Sequence, residues 1–170
     1  MKIKLIMPCE KYWKSYLDSY NEMDHDGLVE GMDWDSESLP QVYFDRAKEL
    51  SEGKDIGSLV PATNFWIIAD DEYSGRMSIR HELNEKLKKY GGHIGYEVKV
   101  SARKKGIATK ALSLAIEFCK TKLMLKEVML TCDNSNIASI KTIEKNGGVL
   151  REKNNDESNN RLSRYYIISL

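Results

Sequence analysis

The chain has 170 residues, of which 41% are hydrophobic and 31% charged, and its 26 basic residues balance its 26 acidic ones. These values are typical of one globular domain spanning residues 1–170, which needs neither disulfides nor a structural metal to fold. Zero net charge argues against a nucleic-acid partner, because affinity for phosphate backbones depends on surplus Lys and Arg. No apolar run approaches the ~20 residues of a membrane-spanning helix. We therefore expect a cytoplasmic protein with no membrane partner and no bound metal.

The charges are unevenly distributed along the chain. Residues 16–44 contain no Lys or Arg and are rich in Asp and Glu, whereas residues 99–126 carry eight basic residues and one acidic residue, Glu117. Two solvated helix faces would explain this pattern. One site for a cation and another for a polyanion would explain it equally well.

Hydrophobic periodicity predicts short elements in the first half of the chain. In order they are a strand at 2–7, a helix at 10–20, a loop at 27–40, a helix from 39 or 40 to 52, paired strands at 64–70 and 75–80 around a turn at 71–74, and a polar connector at 81–90 with room for one helical turn. Pro40 suits the first turn of its helix, and Gly53 suits the residue that ends it.

The second half shows clearer patterns. In order it predicts a strand at 92–100, a basic turn at 101–106, a helix at 107–120, a strand at 128–132, a helix at 134–146 ended by two glycines, and a closing hairpin at 149–152 and 162–169. The strand, helix and strand in the middle of this half form a unit that we expect to be parallel and right-handed.

The basic turn lies where a strand ends and a helix begins. Arg103, Lys104 and Lys105 precede Gly106 at this point. The first turn of a helix has unpaired N–H groups and the positive end of the helix dipole, so the turn predicts an anion site suited to a pyrophosphate. The glycine patterns of a Walker loop and of a dinucleotide fold are both missing, and a solvated basic loop is the simpler alternative.

The helix at 134–146 combines polar and apolar side chains on one face. A rotation of 100° per residue places together Asn136, Ser139, Ile140, Ile143 and Asn146. Polar groups on a partly apolar face need partners, which favours a ligand. Alternatively, Asn136 caps the helix and Ser139 is a tolerated small residue.

Taken together, these segments resemble the GCN5-related N-acetyltransferase (GNAT) superfamily. Residues 95–108 are similar to the family's cofactor motif, Gln/Arg-x-x-Gly-x-Gly/Ala after the fourth strand, and the resemblance is close from Gly91 to Gly148. It implies a single α/β acetyltransferase domain with a mixed, mainly antiparallel sheet of about seven strands and about four helices. It also implies acetyl-coenzyme A as co-substrate.

The resemblance further implies which residues bind coenzyme A. The strand edge at 98–100 would hold the pantetheine arm together with Asn136, and the backbone at 104–109 would hold the pyrophosphate. Arg103 and Lys105 are candidate helpers. The full predicted set is Val98, Lys99, Val100, Arg103, Lys104, Lys105, Gly106, Ile107, Ala108, Thr109, Asn136 and Ser139.

Two positions depart from the family's common pattern. Many members carry a Tyr seven residues after the Asn, as the acid that protonates the departing thiolate, and Ile143 stands there in this chain. Ser139 occupies a position that is often Ala, a form similar to the branch of ribosomal-protein N-terminal acetyltransferases, in which this Ser is the proposed acid. In addition, Val100 replaces an expected Pro at the end of the strand.

Acetyl transfer by direct attack needs a neutral amine, a stabilised acyl oxygen and a protonated leaving thiolate. His93 and Glu97 share one side of the strand and are the candidate bases, directly or through water. A bulge of one residue would exchange which of them faces the cleft. Alternatively, His93 is a satisfied loop-edge histidine and Glu97 is a solvated strand residue.

The predicted activity is N-acetyl transfer to a primary amine, either a small molecule or a protein N-terminus. We expect the acidic, aromatic N-terminal region to form part of the acceptor site and to favour a cationic amine, through Tyr16, Asp18, Tyr20, Glu22, Asp24, Asp26, Trp34 and Asp35. A catalytically silent module that binds an acyl-coenzyme A is the main alternative. A nucleotide-binding regulatory domain is a third interpretation. Whether the protein forms a homodimer is left open.

Overall fold

The computed structural model describes residues 1–23, 39–156 and 161–170. Within them it has seven strands and five α-helices, one helix more than predicted. The elements are β1 (Ile3–Ile6), α1 (Trp13–Asp18), α2 (Pro40–Glu52), β2 (Ala62–Ala69), β3 (Glu72–Arg80), α3 (Glu85–Tyr90), β4 (Ile94–Val98), α4 (Ile107–Thr121), β5 (Glu127–Asp133), α5 (Ile137–Lys145), β6 (Val149–Asp156) and β7 (Arg161–Ser169). Most of the predicted loop at 27–40 lies outside the described residues.

The strands form two sheets, and every ladder in them is antiparallel. The first sheet has the order β1-β2-β3-β4 and the second the order β5-β7-β6. The expected parallel pairing of β4 with β5 does not form, because no ladder joins these strands among the described residues. The segment just before β4 meets β5 at an isolated antiparallel bridge between Gly92 and Leu130. Beside the bridge, the His93 N–H donates to the Met129 carbonyl at 2.7 Å. Beyond this point the two sheets separate, which opens a gap between β4 and β5.

Two apolar clusters lie on opposite faces of the first sheet, because successive strand residues point to opposite sides. On one face Ile67, Met77 and the apolar side of α4 form the main core. On the other face Trp66 and Tyr73 pack with aromatic residues of α1 and α2. No helix among the described residues is long and apolar enough to cross a membrane.

Turn residues explain where several elements end. Gly53 ends α2 at φ 69° and Gly147 follows α5 at φ 85°, as predicted from their positions. The turn between β2 and β3 is shorter than predicted, because Asp70 and Asp71 both adopt positive φ, at 49° and 64°. Two such residues match the twist of a tight hairpin, so β3 begins at residue 72.

The polar segments also hold more structure than their patterns suggest. The predicted helix at 10–20 consists of α1 flanked by 3₁₀ turns, and Ser19 Oγ donates back to the Ser15 carbonyl at 2.8 Å. Such a bond competes with helix continuation. The connector at 81–90 contains α3, because the Asn84 side chain caps it by accepting from the Leu87 N–H at 2.9 Å.

Candidate active site

A cleft of about 490 Å³ lies where β4 separates from the second sheet. The end of β4, the turn before α4 and the outer face of α5 enclose it. The residues that line it are Tyr96, Glu97, Val98, Ala102, Arg103, Lys104, Gly106, Ile107, Ala108, Thr109, Asn136, Ala138, Ser139, Lys141, Thr142 and Lys145. Nine of the twelve predicted cofactor residues are among them.

The turn before α4 is shaped to receive an anion. Lys104 and Gly106 both adopt positive φ, at 63° and 78°, which exposes consecutive backbone N–H groups on one side of the turn. Gly106 is the N-cap of α4 and no side chain caps the helix there. A Cβ added at Gly106 would meet no protein atom within 4 Å, so the space above the turn is open. These features fit a phosphate group held by the helix N-terminus.

Three predicted cofactor residues do not line the cleft. Lys99 uses its N–H to bond the Ser74 carbonyl at 2.9 Å and its Nζ to bond Ser19 Oγ at 3.1 Å. Val100 lies in an exposed 3₁₀ turn, and Lys105 Nζ donates to the Ser101 carbonyl at 3.0 Å. These hydrogen bonds hold the Lys99 and Lys105 side chains elsewhere, and Val100 is exposed to solvent.

Arg103 does line the cleft, but its guanidinium is held against β4. Its Nε donates to the Val98 carbonyl at 2.8 Å. Its Nη2 lies 3.8 Å from Glu97 Oε1. This cation therefore contributes positive charge at the wall while the backbone of the turn stays accessible.

Asn136 and Ser139 lie side by side at the start of α5. Asn136 Oδ1 accepts from the Ser139 N–H at 3.0 Å, which is the capping arrangement considered for this residue. Both residues nevertheless line the cleft, so capping and ligand contact are compatible. Further along α5, Asn146 Nδ2 donates to the Thr109 carbonyl at 3.2 Å and fixes α5 against the start of α4. Ile143 is only 1% exposed and belongs to the core.

Of the two candidate bases, only Glu97 lines the cleft. Its carboxylate forms an ion pair with Arg76, with Oε2 at 3.1 Å from Nη2 and 3.2 Å from Nε. The Glu97 and Arg76 side chains are only 12% and 16% exposed, so this pair is largely shielded from water. The interpretation of Glu97 as a solvated strand residue is therefore wrong.

His93 lies just before β4 and outside the cleft. Its Nδ1 accepts from the Met129 N–H at 3.0 Å. Burial lowers the pKa of His93, and this effect outweighs the opposing influence of Glu127. The arrangement matches the alternative of a satisfied histidine, with the ring neutral at pH 7.

The N-terminal region reaches the rim of the cleft through one residue of the predicted acceptor site. Glu22 accepts a hydrogen bond from the Ser101 N–H at 2.8 Å, and this bond lowers the pKa of the Glu22 carboxyl. Tyr16, in contrast, is buried in the aromatic cluster, with its ring 4.9 Å from that of Trp66, so its assignment to an open acceptor wall is wrong. Asp24, Asp26, Trp34 and Asp35 lie outside the described residues.

Several residues of the cleft are not predicted from the sequence. Strand alternation places Tyr96 on the apolar side of β4, opposite His93 and Glu97, yet Tyr96 lines the cleft together with residues of α5. Lys141 and Lys145 also line it, one helical turn apart. Their spacing of four residues places them on the same helix face, which is a signal that the sequence does contain.

Comparison with known proteins identifies the family. A family model described as an acetyltransferase (GNAT) domain matches residues 18–149, and the chain belongs to this family. The predicted fold class, the enzyme class of acetyl-coenzyme A dependent N-acetyltransferase and acetyl-coenzyme A as co-substrate are thereby confirmed. Among curated protein sequences, none matches this one.

Solved structures of low sequence identity share the fold. The microcin C7 self-immunity acetyltransferase MccE, in complex with acetyl-CoA and AMP, is 17% identical with a TM-score of 0.64, over 99% of this chain and 93% of its own. Mycobacterium smegmatis RimJ, in complex with CoA-disulfide, is 20% identical with a TM-score of 0.67, over 98% and 81%. A mutant of the spermidine N-acetyltransferase SpeG from Vibrio cholerae is 14% identical with a TM-score of 0.61, over 99% and 95%.

Proposed function

We propose that the protein transfers an acetyl group from acetyl-coenzyme A to a primary amine by direct attack within a ternary complex. The observation that carries the proposal is the cleft itself. It is lined by the turn at Gly106, whose geometry fits a phosphate, and also by Glu97 and Ser139. A ligand that carries both phosphates and a reactive group matches this combination.

In the proposed mechanism, residues of the cleft bind the pyrophosphate and position the acetyl group. The backbone at 104–109 and the Lys104 side chain bind the pyrophosphate, with Lys141 and Lys145 adding positive charge on the facing helix. When bound, acetyl-coenzyme A supplies an activated acetyl thioester. The cleft holds this group beside the amine, and such positioning alone accounts for several orders of magnitude in rate.

Proton transfers complete the proposed mechanism. Glu97 accepts the proton of the incoming ammonium through water, because it is the candidate base that lines the cleft. Backbone N–H groups near Val98 stabilise negative charge on the acyl oxygen. Ser139 donates a hydrogen bond to the leaving sulfur from the opposite wall.

The acceptor that we propose is a cationic amine, either a small molecule or a peptide N-terminus. The bond from the Ser101 N–H to Glu22 supports this, because it holds one end of the acidic region at the rim of the cleft. The solved neighbours include a spermidine N-acetyltransferase and a ribosomal-protein-S5-alanine acetyltransferase from Vibrio fischeri. The pair Asn136 and Ser139 resembles the branch of ribosomal-protein N-terminal acetyltransferases. Both kinds of acceptor present a cationic amine.

Replacing Gly106 by valine is expected to weaken coenzyme A binding at least tenfold, or about 1.4 kcal/mol. The new side chain would occupy the open space above the turn, and a β-branched residue resists the φ of 78° observed there. Isothermal titration calorimetry with coenzyme A measures the change. Gly57→Val is the matched control, since Gly57 has a φ of 57°, open space around it and no place in the cleft. Equal affinities of the Gly106 variant and wild type would contradict the proposed site.

The Michaelis constant for a cationic acceptor is expected to rise about threefold or more between roughly 0.05 M and 0.5 M salt, because screening acts over ~8 Å at physiological ionic strength. The acidic region attracts the amine through charges exposed to solvent. Initial rates at saturating acetyl-coenzyme A measure the effect, with an arylamine that is uncharged at pH 7 as the control acceptor. A preferred acceptor that is anionic, with a salt-independent constant, would disprove the acidic acceptor site.

The experiment that tests the function is an acceptor screen. The protein and acetyl-coenzyme A are incubated with candidate acceptors, namely polyamines, amino acids, drugs that carry an amine, and peptides. Mass spectrometry detects products heavier by one acetyl group. Transfer to an amine would support the proposal. Tight binding of coenzyme A without transfer to any amine would favour the catalytically silent module instead.

A further inference from the structure

Tyr96 places a hydroxyl in an unusual position beside the cleft. The ring lines the cleft from β4, while its hydroxyl oxygen is buried and has no hydrogen-bond partner among the described residues. Buried polar atoms are nearly always paired, so each exception needs an explanation. Tyr96 lies on β4 and Ser139 on α5, and both residues line the cleft.

The surroundings of this hydroxyl are specific. Burial raises the pKa of Tyr96 to about 12, while the nearby hydroxyls of Ser139 and Thr142 lower it. Both of these residues lie on α5 and line the cleft. The three hydroxyls are therefore close together, although none of them completes a hydrogen bond with the Tyr96 oxygen.

The Ser139 hydroxyl is too weak an acid to protonate the departing thiolate by itself. An alkyl hydroxyl is a far weaker acid than a phenol, and both are weaker than a thiol, whose ordinary pKa is ~8.5. A serine that gives its proton to a thiolate must therefore be resupplied at the same moment. The Tyr96 hydroxyl is placed to do so, since it is buried near the hydroxyls of Ser139 and Thr142 and has no hydrogen-bond partner among the described residues.

We propose that Tyr96 is a positioning residue that donates a hydrogen bond to Ser139 Oγ and resupplies its proton as coenzyme A leaves. This inference rests on the function proposed above. As the nitrogen-to-carbon bond forms and the carbon-to-sulfur bond breaks, Ser139 gives its proton to sulfur and takes the proton of Tyr96. The incoming ammonium has already given one proton to Glu97 through water, and the nitrogen releases a second to water as the amide forms. Because its oxygen is buried, Tyr96 regains its proton from cleft water through Ser139, and Glu97 returns its proton to water. One proton is thus released to solvent per acetyl group transferred, and protons and charge balance over the cycle.

A double-mutant cycle tests this arrangement. Tyr96→Phe is expected to lower kcat at least tenfold, with the Michaelis constant for acetyl-coenzyme A changed less than threefold. Because both hydroxyls act in one relay, Tyr96→Phe combined with Ser139→Ala should be no slower than Ser139→Ala alone. Multiplied losses in the double variant, or wild-type turnover of Tyr96→Phe, would overturn the proposal.

A spectroscopic readout separates this role from a structural one and needs no acceptor. Ultraviolet absorbance of the thiolate follows the titration of protein-bound coenzyme A. A donor chain ending at sulfur stabilises the thiolate, so Tyr96→Phe is expected to raise the thiol pKa of bound coenzyme A by about one unit, a tenfold change in proton affinity. An unchanged titration would overturn the proposal. Failure of the wild type to bind coenzyme A would instead refute the proposed function.

Tyr73→Phe is the matched control. The Tyr73 hydroxyl is also buried without a hydrogen-bond partner among the described residues, but it lies in the aromatic cluster on the opposite face of the sheet. The same chemical change there should leave the titration of bound coenzyme A unchanged. Both Phe variants keep the ring and remove an unpaired polar atom, so thermal melting should show both to be as stable as wild type. An equal shift of the titration in both would overturn the specific role of Tyr96.

Discussion

Replacing Ser139 by alanine is expected to lower kcat by about 10²-fold, equivalent to about 2.7 kcal/mol of transition-state stabilisation. The affinity for coenzyme A should stay within a factor of a few, because the lost bond to sulfur forms mainly as the thiolate leaves. The cap of α5 survives the change, since it uses the Ser139 N–H and not its side chain. Steady-state kinetics and calorimetry measure the two quantities separately.

Ser113→Ala is the control for this experiment, because Ser113 is exposed on α4 and does not line the cleft. It should keep wild-type turnover. An unchanged kcat in Ser139→Ala would mean that the thiolate leaves unassisted or takes its proton from water or another group. A collapse of coenzyme A affinity would make Ser139 a binding residue only.

The substitution Gly75→Ala is expected to destabilise the protein by about 3 kcal/mol or more, the upper range for overpacking. A Cβ at this position would lie 2.1 Å from the Glu97 carbonyl oxygen and 3.0 Å from Val98 Cα, and both are backbone atoms of β4 that cannot rotate away. Strand β4 must move away from β3, and the wall of the cleft moves with it. Thermal unfolding should show Tm lowered by roughly 6–12 °C.

Gly57→Ala serves as the comparison, because a Cβ there meets nothing within 4 Å and the change adds only the strain of a φ of 57°. That strain costs about 1–2 kcal/mol. Comparison of the two variants separates the destabilisation caused by a clash between β3 and β4 from that caused by backbone strain at a positive φ. If Gly75→Ala melts at the same temperature as Gly57→Ala, then β3 and β4 lie farther apart than the structure places them.

Much of the cleft could be predicted because its parts are local in sequence. The strand, basic turn and helix around Gly106 follow from alternation, charge and helical periodicity within about fifteen residues. The helix beginning after Asn136 has an equally local signal in its cap and in the two glycines that end it. Each of these patterns needs only neighbouring residues to be understood.

The relations that were missed join residues far apart in the chain. Strand alternation places Tyr96 on the apolar side, and only the packing of α5 reveals that this side borders the cleft. The ion pair of Glu97 with Arg76 depends on the register between β3 and β4, which no local pattern specifies. Likewise, the separation of β4 from β5 depends on how the two sheets meet at Gly92. Hydrophobic periodicity along the sequence does not specify how two sheets are arranged.

The gap between the sheets has a consequence for how copies of the protein behave towards one another. In the described part of the chain, β4 has one ladder partner, β3, so its other edge lies unpaired beside the cleft. Unpaired strand edges are the places where separate chains add to each other and aggregate. A long, narrow ligand lying along this edge would therefore also protect against self-association, and coenzyme A bound in the proposed site would make the protein more resistant to aggregation.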